Sequence, residues 1–111
     1  MSVVITLSEQ TAKHLAHLSV AGVQDDDGKV RALLEVEYRQ KMARASRIDL
    51  ALRDKYQLTF EEFQRQNMVA QRGYTWDVES DAAEWEFALS SWRTARRQLT
   101  ELVGKIPDEE S

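Results

Sequence analysis

Apolar and polar positions change period along the chain, and each change marks an expected element. Val3, Val4, Ile5, Thr6 and Leu7 form a short apolar run that suits a strand. Ser8 then caps a helix over roughly residues 9–20, with Ala12, Leu15, Ala16 and Leu18 on its apolar side. Gly22 suits the left-handed stop position, and Val23 supplies an apolar contact beyond it. The turn from Gln24 to Gly28 leads into a long helix, with Asp27 as N-cap and the aspartates at the positive end of the dipole. Along that helix Val30, Leu33, Leu34, Tyr38, Met42, Ala45, Ile48, Leu52 and Tyr56 recur at spacings of three and four, a single helical face. No Gly or Pro interrupts Lys29 to Gln57, so the helix reaches on the order of 40 Å at 1.5 Å per residue.

The strongest local signal follows. Thr59 and Glu62 have the spacing of a capping box, and Leu58 and Phe63 stand where a hydrophobic staple places its two residues. A short helix is expected from Phe60 to near Gly73. Tyr74, Trp76 and Val78 alternate, which predicts a brief extended segment. A last helix is expected after Ser80 or Asp81, because Asp81 and Glu84 also have cap-box spacing. Trp85, Ala88, Trp92, Ala95, Leu99, Leu102 and Ile106 make its packing seam, and Gly104 and Pro107 end it before an acidic tail.

The first strand has no partner in its own sequence, because nothing else in the first half alternates in the same way. Its backbone N–H and C=O groups must still be paired if its side chains are to be buried. A second copy supplies the partner most simply, through a two-stranded antiparallel ribbon across a dimer axis. Val3, Ile5, Leu7, Leu33 and Leu34 are the residues assigned to that interface. The chain accordingly divides into a dimerisation region with an extended helix (residues 1–57) and a helical partner-binding region (58–111).

Composition narrows the class. The 111 residues are 42% hydrophobic and 31% charged, which suits one helix-rich domain with a true core. No apolar run approaches the length of a membrane span and no signal peptide precedes the strand, so a cytoplasmic protein is expected. Cysteine is absent, which removes disulfides and thiolate metal sites. The net charge of −4 argues against strong generic nucleic-acid binding.

Candidate chemistry is sparse. His14 and His17 share a helix but lack the further ligands that zinc or iron needs, so no metal is expected. Counted from Asp25, a calcium loop would need ligands where Lys29 and Val36 stand. There is no phosphate-cradling loop, nucleophile elbow or recognisable catalytic set, which points away from an enzyme and from any cofactor. Lys41, Arg44 and Arg47 lie among the basic residues of the long helix. They read either as a solvated face paired with Glu35, Glu37, Asp49 and Asp54 or as DNA contacts. The acidic and aromatic stretch Trp76, Asp77, Glu79, Asp81, Glu84, Trp85, Glu86 and Phe87 reads either as core and capping residues or as a surface that grips a basic protein. Trp76, Asp77, Glu79, Trp85 and Glu86 are the residues assigned to partner binding.

The strand–helix–helix beginning resembles the ribbon-helix-helix fold used by many bacterial antitoxins. The stretches Lys55-Tyr56-Gln57-Leu58-Thr59-Phe60-Glu61-Glu62-Phe63 and Tyr74-Thr75-Trp76-Asp77-Val78-Glu79-Ser80-Asp81, continued by Glu84-Trp85-Glu86, resemble a family of short prokaryotic proteins encoded beside small toxins, those of the TumE type included. The resemblance covers most of the chain. It implies a mainly α protein with a ribbon-helix-helix-like dimerisation unit, one short strand per chain, followed by a long helix and C-terminal helices. It also implies a homodimeric antitoxin that neutralises a basic toxin. One departure matters: neither face of the strand, Ser2, Val4 and Thr6 or Val3, Ile5 and Leu7, carries the Arg, Lys, Asn or Gln that reads base edges. The aspartates before the long helix would also repel a phosphate placed there. DNA binding is therefore expected to be weak. A DNA-binding regulator and a structural adaptor are the alternative readings.

Overall fold

The computed structural model describes residues 2–104. Among these the chain is mainly helical, with α1 (Glu9–His17), α2 (Asp26–Tyr56), α3 (Phe60–Arg65), α4 (Met68–Gln71) and α5 (Trp76–Val103). Ile106, Pro107 and the acidic tail lie outside the described residues. Contacts gather into two compact units, Met1–Val36 and Glu37–Ser111, so α2 gives its first turns to one and its later turns to the other. Gln57, where the sequence suggests a boundary, is the left-handed residue that follows α2, with φ 56°.

In the first unit Ser8 is the N-cap of α1, its hydroxyl accepting from the Thr11 N–H at 3.2 Å. The helix stops at His17, three residues short of the expected end, with Leu18 already extended. Gly22 has φ +76°, and the Val23 N–H returns to the Val20 carbonyl at 3.1 Å, which closes the turn. Asp25, rather than Asp27, caps α2. Its Oδ1 accepts from the Gly28 N–H at 3.2 Å and its carbonyl accepts from the Lys29 N–H at 3.1 Å. Only Asp25 stands three residues ahead of a free first-turn N–H; Asp26 and Asp27 are already helical. A Cβ on Gly28 would come within 2.5 Å of Val23 Cγ1, so glycine lets the first turn of α2 close over the loop. Lys29 Nζ caps α1 from the other end, donating to the Leu15 carbonyl at 3.3 Å.

Residues 3–7, expected as a strand, form no strand in the single chain. A strand exists by virtue of its ladder, and among the described residues no segment pairs with this one. Val3 is 83% exposed and Ile5 69%. No described residue of this unit reaches full burial.

The second unit holds the core. Leu52 and Tyr56 of α2, Phe63 of α3, Met68 of α4, and Val78 and Trp85 of α5 are buried together. Trp85 lies at the centre with no exposed surface. Its ring is 5.3 Å from those of Phe60 and Phe63, and Phe63 meets Tyr56 edge-on at 5.0 Å. Polar groups in this core are paired: the Trp85 indole N–H donates to Asp49 Oδ1 at 2.8 Å, and the Tyr56 hydroxyl donates to Asp81 Oδ2 at 2.6 Å. Asp49 with Trp85 and Tyr56 with Asp81 fix the register: as α2 advances, its partners on α5 recede, so the two helices run antiparallel.

The capping box forms as read. Thr59 Oγ1 accepts from the Glu62 N–H at 3.2 Å and Glu62 Oε1 accepts from the Thr59 N–H at 3.0 Å. The hydrogen bond from the Thr59 backbone holds the Glu62 carboxyl below its ordinary pKa. The segment that follows is two helices rather than one, because Asn67 adopts a left-handed conformation (φ 51°) between α3 and α4. Gly73, at φ +74°, then turns the chain toward α5.

Two expectations are corrected at the start of α5. Tyr74, Trp76 and Val78 do not form an extended segment, and the helix begins at Trp76 rather than after Ser80 or Asp81. Three alternating residues also fit a helix, since positions two apart lie on opposite sides of it: Val78 is buried while Trp76 is exposed. Asp77 and Glu79 occupy the first turn, where the dipole favours them. Asp81 is therefore inside the helix and faces α2, where it accepts from Lys55 Nζ as well as Tyr56, both at 2.6 Å.

Candidate functional site

Because α5 starts at Trp76, Trp76 and Phe87 stand eleven residues apart on one helix. That spacing is about three turns and sets both on the same side. They are 77% and 74% exposed, the largest apolar side chains left uncovered on this helix. Asp77, Glu79, Glu84 and Glu86 flank them and are exposed. No lysine or arginine occurs between Gly73 and Trp92. The surface is a pair of exposed aromatic side chains set among carboxylates.

Of the residues assigned to partner binding, Trp76, Asp77, Glu79 and Glu86 are at this surface and Trp85 is not. Trp85 is the innermost residue of the core, and its single donor is engaged by Asp49, so it holds α5 in place rather than touching a partner. Phe87 belongs to the acidic and aromatic stretch of the sequence but not to the five residues assigned to partner binding. Its signal was there: two residues beyond Trp85, it must face away from the side that Trp85 buries.

A groove of about 530 Å³ runs between the later turns of α2 and α5. Ala45, Ile48, Ala88 and Ala95 line it with apolar groups. Lys41 and Arg44 form its α2 edge, and Phe87, Ser91, Thr94 and Gln98 its α5 edge. The three residues singled out for DNA, Lys41, Arg44 and Arg47, are all exposed. Two of them thus border an apolar groove instead of a flat basic face.

The residues assigned to the dimer interface all present apolar surface. Leu7, Leu33 and Leu34 are 40–50% exposed, and Val3 and Ile5 more so. His14 and His17 meet edge-to-face at 6.2 Å. Among the described residues no group of three or more His, Asp or Glu side chains is placed to hold a metal ion, and no helix is long and apolar enough to cross a membrane. Comparison with protein-family models, with curated proteins and with solved structures finds no match for the chain.

Proposed function

We propose that this chain is an antitoxin-like, homodimeric cytoplasmic protein that binds and neutralises a small basic toxin. The observation that carries the reading is the uncovered pair Trp76 and Phe87 among the carboxylates of α5. Aromatic anchors exclude water at the centre of a contact, and Asp77, Glu79 and Glu86 would draw a cationic surface to it and fix its orientation. Occlusion of the toxin, rather than chemistry, is the mechanism. The first unit supports the reading from the other end of the chain. Among the described residues nothing pairs with residues 3–7, and a second copy would supply a ladder partner in ribbon-helix-helix fashion. Lys41, Arg44 and Arg47 would add weak contacts to operator phosphates.

Growth rescue is the test. An adjacent reading frame for a small basic protein is expected on this reading, and its product is co-expressed with this chain, with Trp76→Ala or with Glu79→Lys. The parent should restore growth. Each variant should lose at least about tenfold in affinity, as expected for loss of an interface anchor, while melting with the parent. An adjacent product that is not toxic, or equal rescue by both variants, would overturn the reading.

A further inference from the structure

The exposed side of α5 carries a second seam that the core does not use. Trp76, Ser80, Ala83, Phe87, Ser90 and Thr94 follow one another at spacings of four and three, as a coiled-coil contact requires. The two aromatic members of this seam are exposed, and no described residue covers them. The helix is also polarised in charge. Five carboxylates lie between Asp77 and Glu86 and no cation, whereas Arg93, Arg96 and Arg97 follow beyond Trp92. A parallel copy would set carboxylates against carboxylates. An antiparallel copy sets the acidic end of each helix against the basic end of the other.

We propose that a second copy of this chain docks antiparallel on this face, about a twofold axis that passes between Phe87 and Ser90. The seam then fixes the register. Phe87 stands opposite Ser90 of the second copy, and Ala83 opposite Thr94 of the second copy. On one flank Glu86 meets Arg93 of the second copy. On the other flank Glu84 of the second copy comes over Ser91, beside the groove whose far edge is Arg44 and Lys41. The antiparallel packing of α2 on α5 is what brings those two cations alongside Ser91 and Thr94. Small residues along the seam and the groove admit a close second helix, and Phe87 supplies the bulk that fills the space. Twofold symmetry makes each contact twice. From Ala83 to Thr94 the seam thus offers its own complement, while Ser80 and Trp76 lie opposite Arg97 and Glu101 of the second copy.

Disulfide trapping of the isolated 111-residue chain tests this with no toxin in the readout. The face is the one proposed above for the toxin, so the second copy would hold it only until toxin displaces it, and failure of trapping would leave the toxin contact standing. The chain has no cysteine, so any bond formed is an introduced one. The experiment uses chains that carry Ile5→Asp, which removes association through the first unit. Ala83→Cys with Thr94→Cys should give a covalent dimer on mild oxidation. Either cysteine alone should not, since symmetry-related copies of one position lie about 16 Å apart along the helix axis at 1.5 Å per residue. Arg93→Glu and Glu86→Arg should each weaken association about tenfold, and together should restore it. Absence of trapping in a chain that melts like its parent overturns the proposal, as does trapping by single cysteines or failure of the paired reversal to restore binding. Those results would assign the face to a different protein.

Discussion

The Tyr56 hydroxyl donates to Asp81 Oδ2 at 2.6 Å, and this bond ties the last turn of α2 to the second turn of α5. Lys55 Nζ reaches the same oxygen at 2.6 Å, so one carboxylate oxygen accepts from two consecutive residues of α2. The Trp85–Asp49 bond repeats the arrangement further along the same pair of helices. Together with the buried core cluster these contacts set the position of α5 against α2.

Removal of the acceptor should cost more than removal of the donor. Asp81→Asn leaves Lys55 without its partner and weakens the bond to Tyr56, with an expected loss of about 2 kcal/mol. Tyr56→Phe keeps the ring against Phe63 and Trp85 and leaves Asp81 with Lys55, so the expected loss is about 1 kcal/mol. Urea unfolding of both variants gives the order. A larger loss for Tyr56→Phe would mean that the hydroxyl, not the carboxylate, organises this contact.

The same pair makes stability depend on alkaline pH. Burial, and then the hydrogen bond to Asp81, push Tyr56 up to about 12 from an ordinary value of 10. The folded state thus keeps a proton that the unfolded chain releases. Stability from this group is complete below pH 10 and is lost as pH rises toward 12, to the extent of on the order of 2–3 kcal/mol. Asp81 works in the opposite direction. Burial raises its pKa, but the bonds from Lys55 and Tyr56 outweigh that and hold it below its usual value. Its contribution is present above the ordinary carboxylate range and disappears as pH falls through the lowered value. Thermal melts from pH 9 to 12 should show a decline that Tyr56→Phe removes; an unchanged slope in that variant would place the titrating group elsewhere.

Trp76 and Trp85 should behave as opposites. Trp85 fills the centre of the core, so Trp85→Ala should cost about 3–5 kcal/mol. Trp76→Ala should fall within about 0.5 kcal/mol of the parent, as surface substitutions do. Acrylamide quenching of single-tryptophan chains provides a second reading, with Trp76 quenched strongly and Trp85 hardly at all. Strong quenching of Trp85 would contradict the core as described.

Much of the second unit was legible in the sequence because its signals are local. The Thr59–Glu62 box and the stripe from Ala45 to Tyr56 need only spacing to be recognised, and both form as read. The start of α5 was misread for the same reason. Asp81 with Glu84 has the spacing of a cap, and only the approach of Lys55 and Tyr56 from another helix shows that the carboxylate is used across the interface. Trp85 was half legible: its place in the heptad seam pointed to the core, while its carboxylate neighbours pointed to the surface. The groove was invisible, because it depends on which turns of α2 lie beside which turns of α5.

DNA affinity should be weak and governed by salt. Lys41, Arg44 and Arg47 are exposed, yet the apolar residues 3–7 offer no donor or acceptor side chain suited to a base edge except Thr6. Binding to duplex DNA should fall steeply between 50 and 200 mM salt and show little sequence preference. Arg44→Gln with Arg47→Gln should reduce the dependence of log affinity on log salt by about 2. A tight, sequence-selective complex at physiological salt would favour the regulator reading over the antitoxin.

Association through the first unit should depend on Ile5. Its side chain is 69% exposed in the single chain and lies ahead of the Ser8 cap, so Ile5→Asp has no packed neighbour to disturb. In a ribbon the same position would be enclosed between paired strands, where an unpaired carboxylate is strongly unfavourable. The contact along α5 must be removed to isolate this effect, and Phe87→Glu does so by placing a charge at the centre of that seam. Light scattering of Phe87→Glu should then give the mass of a dimer, and addition of Ile5→Asp should give that of a monomer. Circular dichroism should be unchanged by the second substitution apart from the first few residues. A dimer that survives both substitutions would show that residues 3–7 do not pair the chains. The exposed Val3, Ile5 and Leu7 would then need a different partner to cover them.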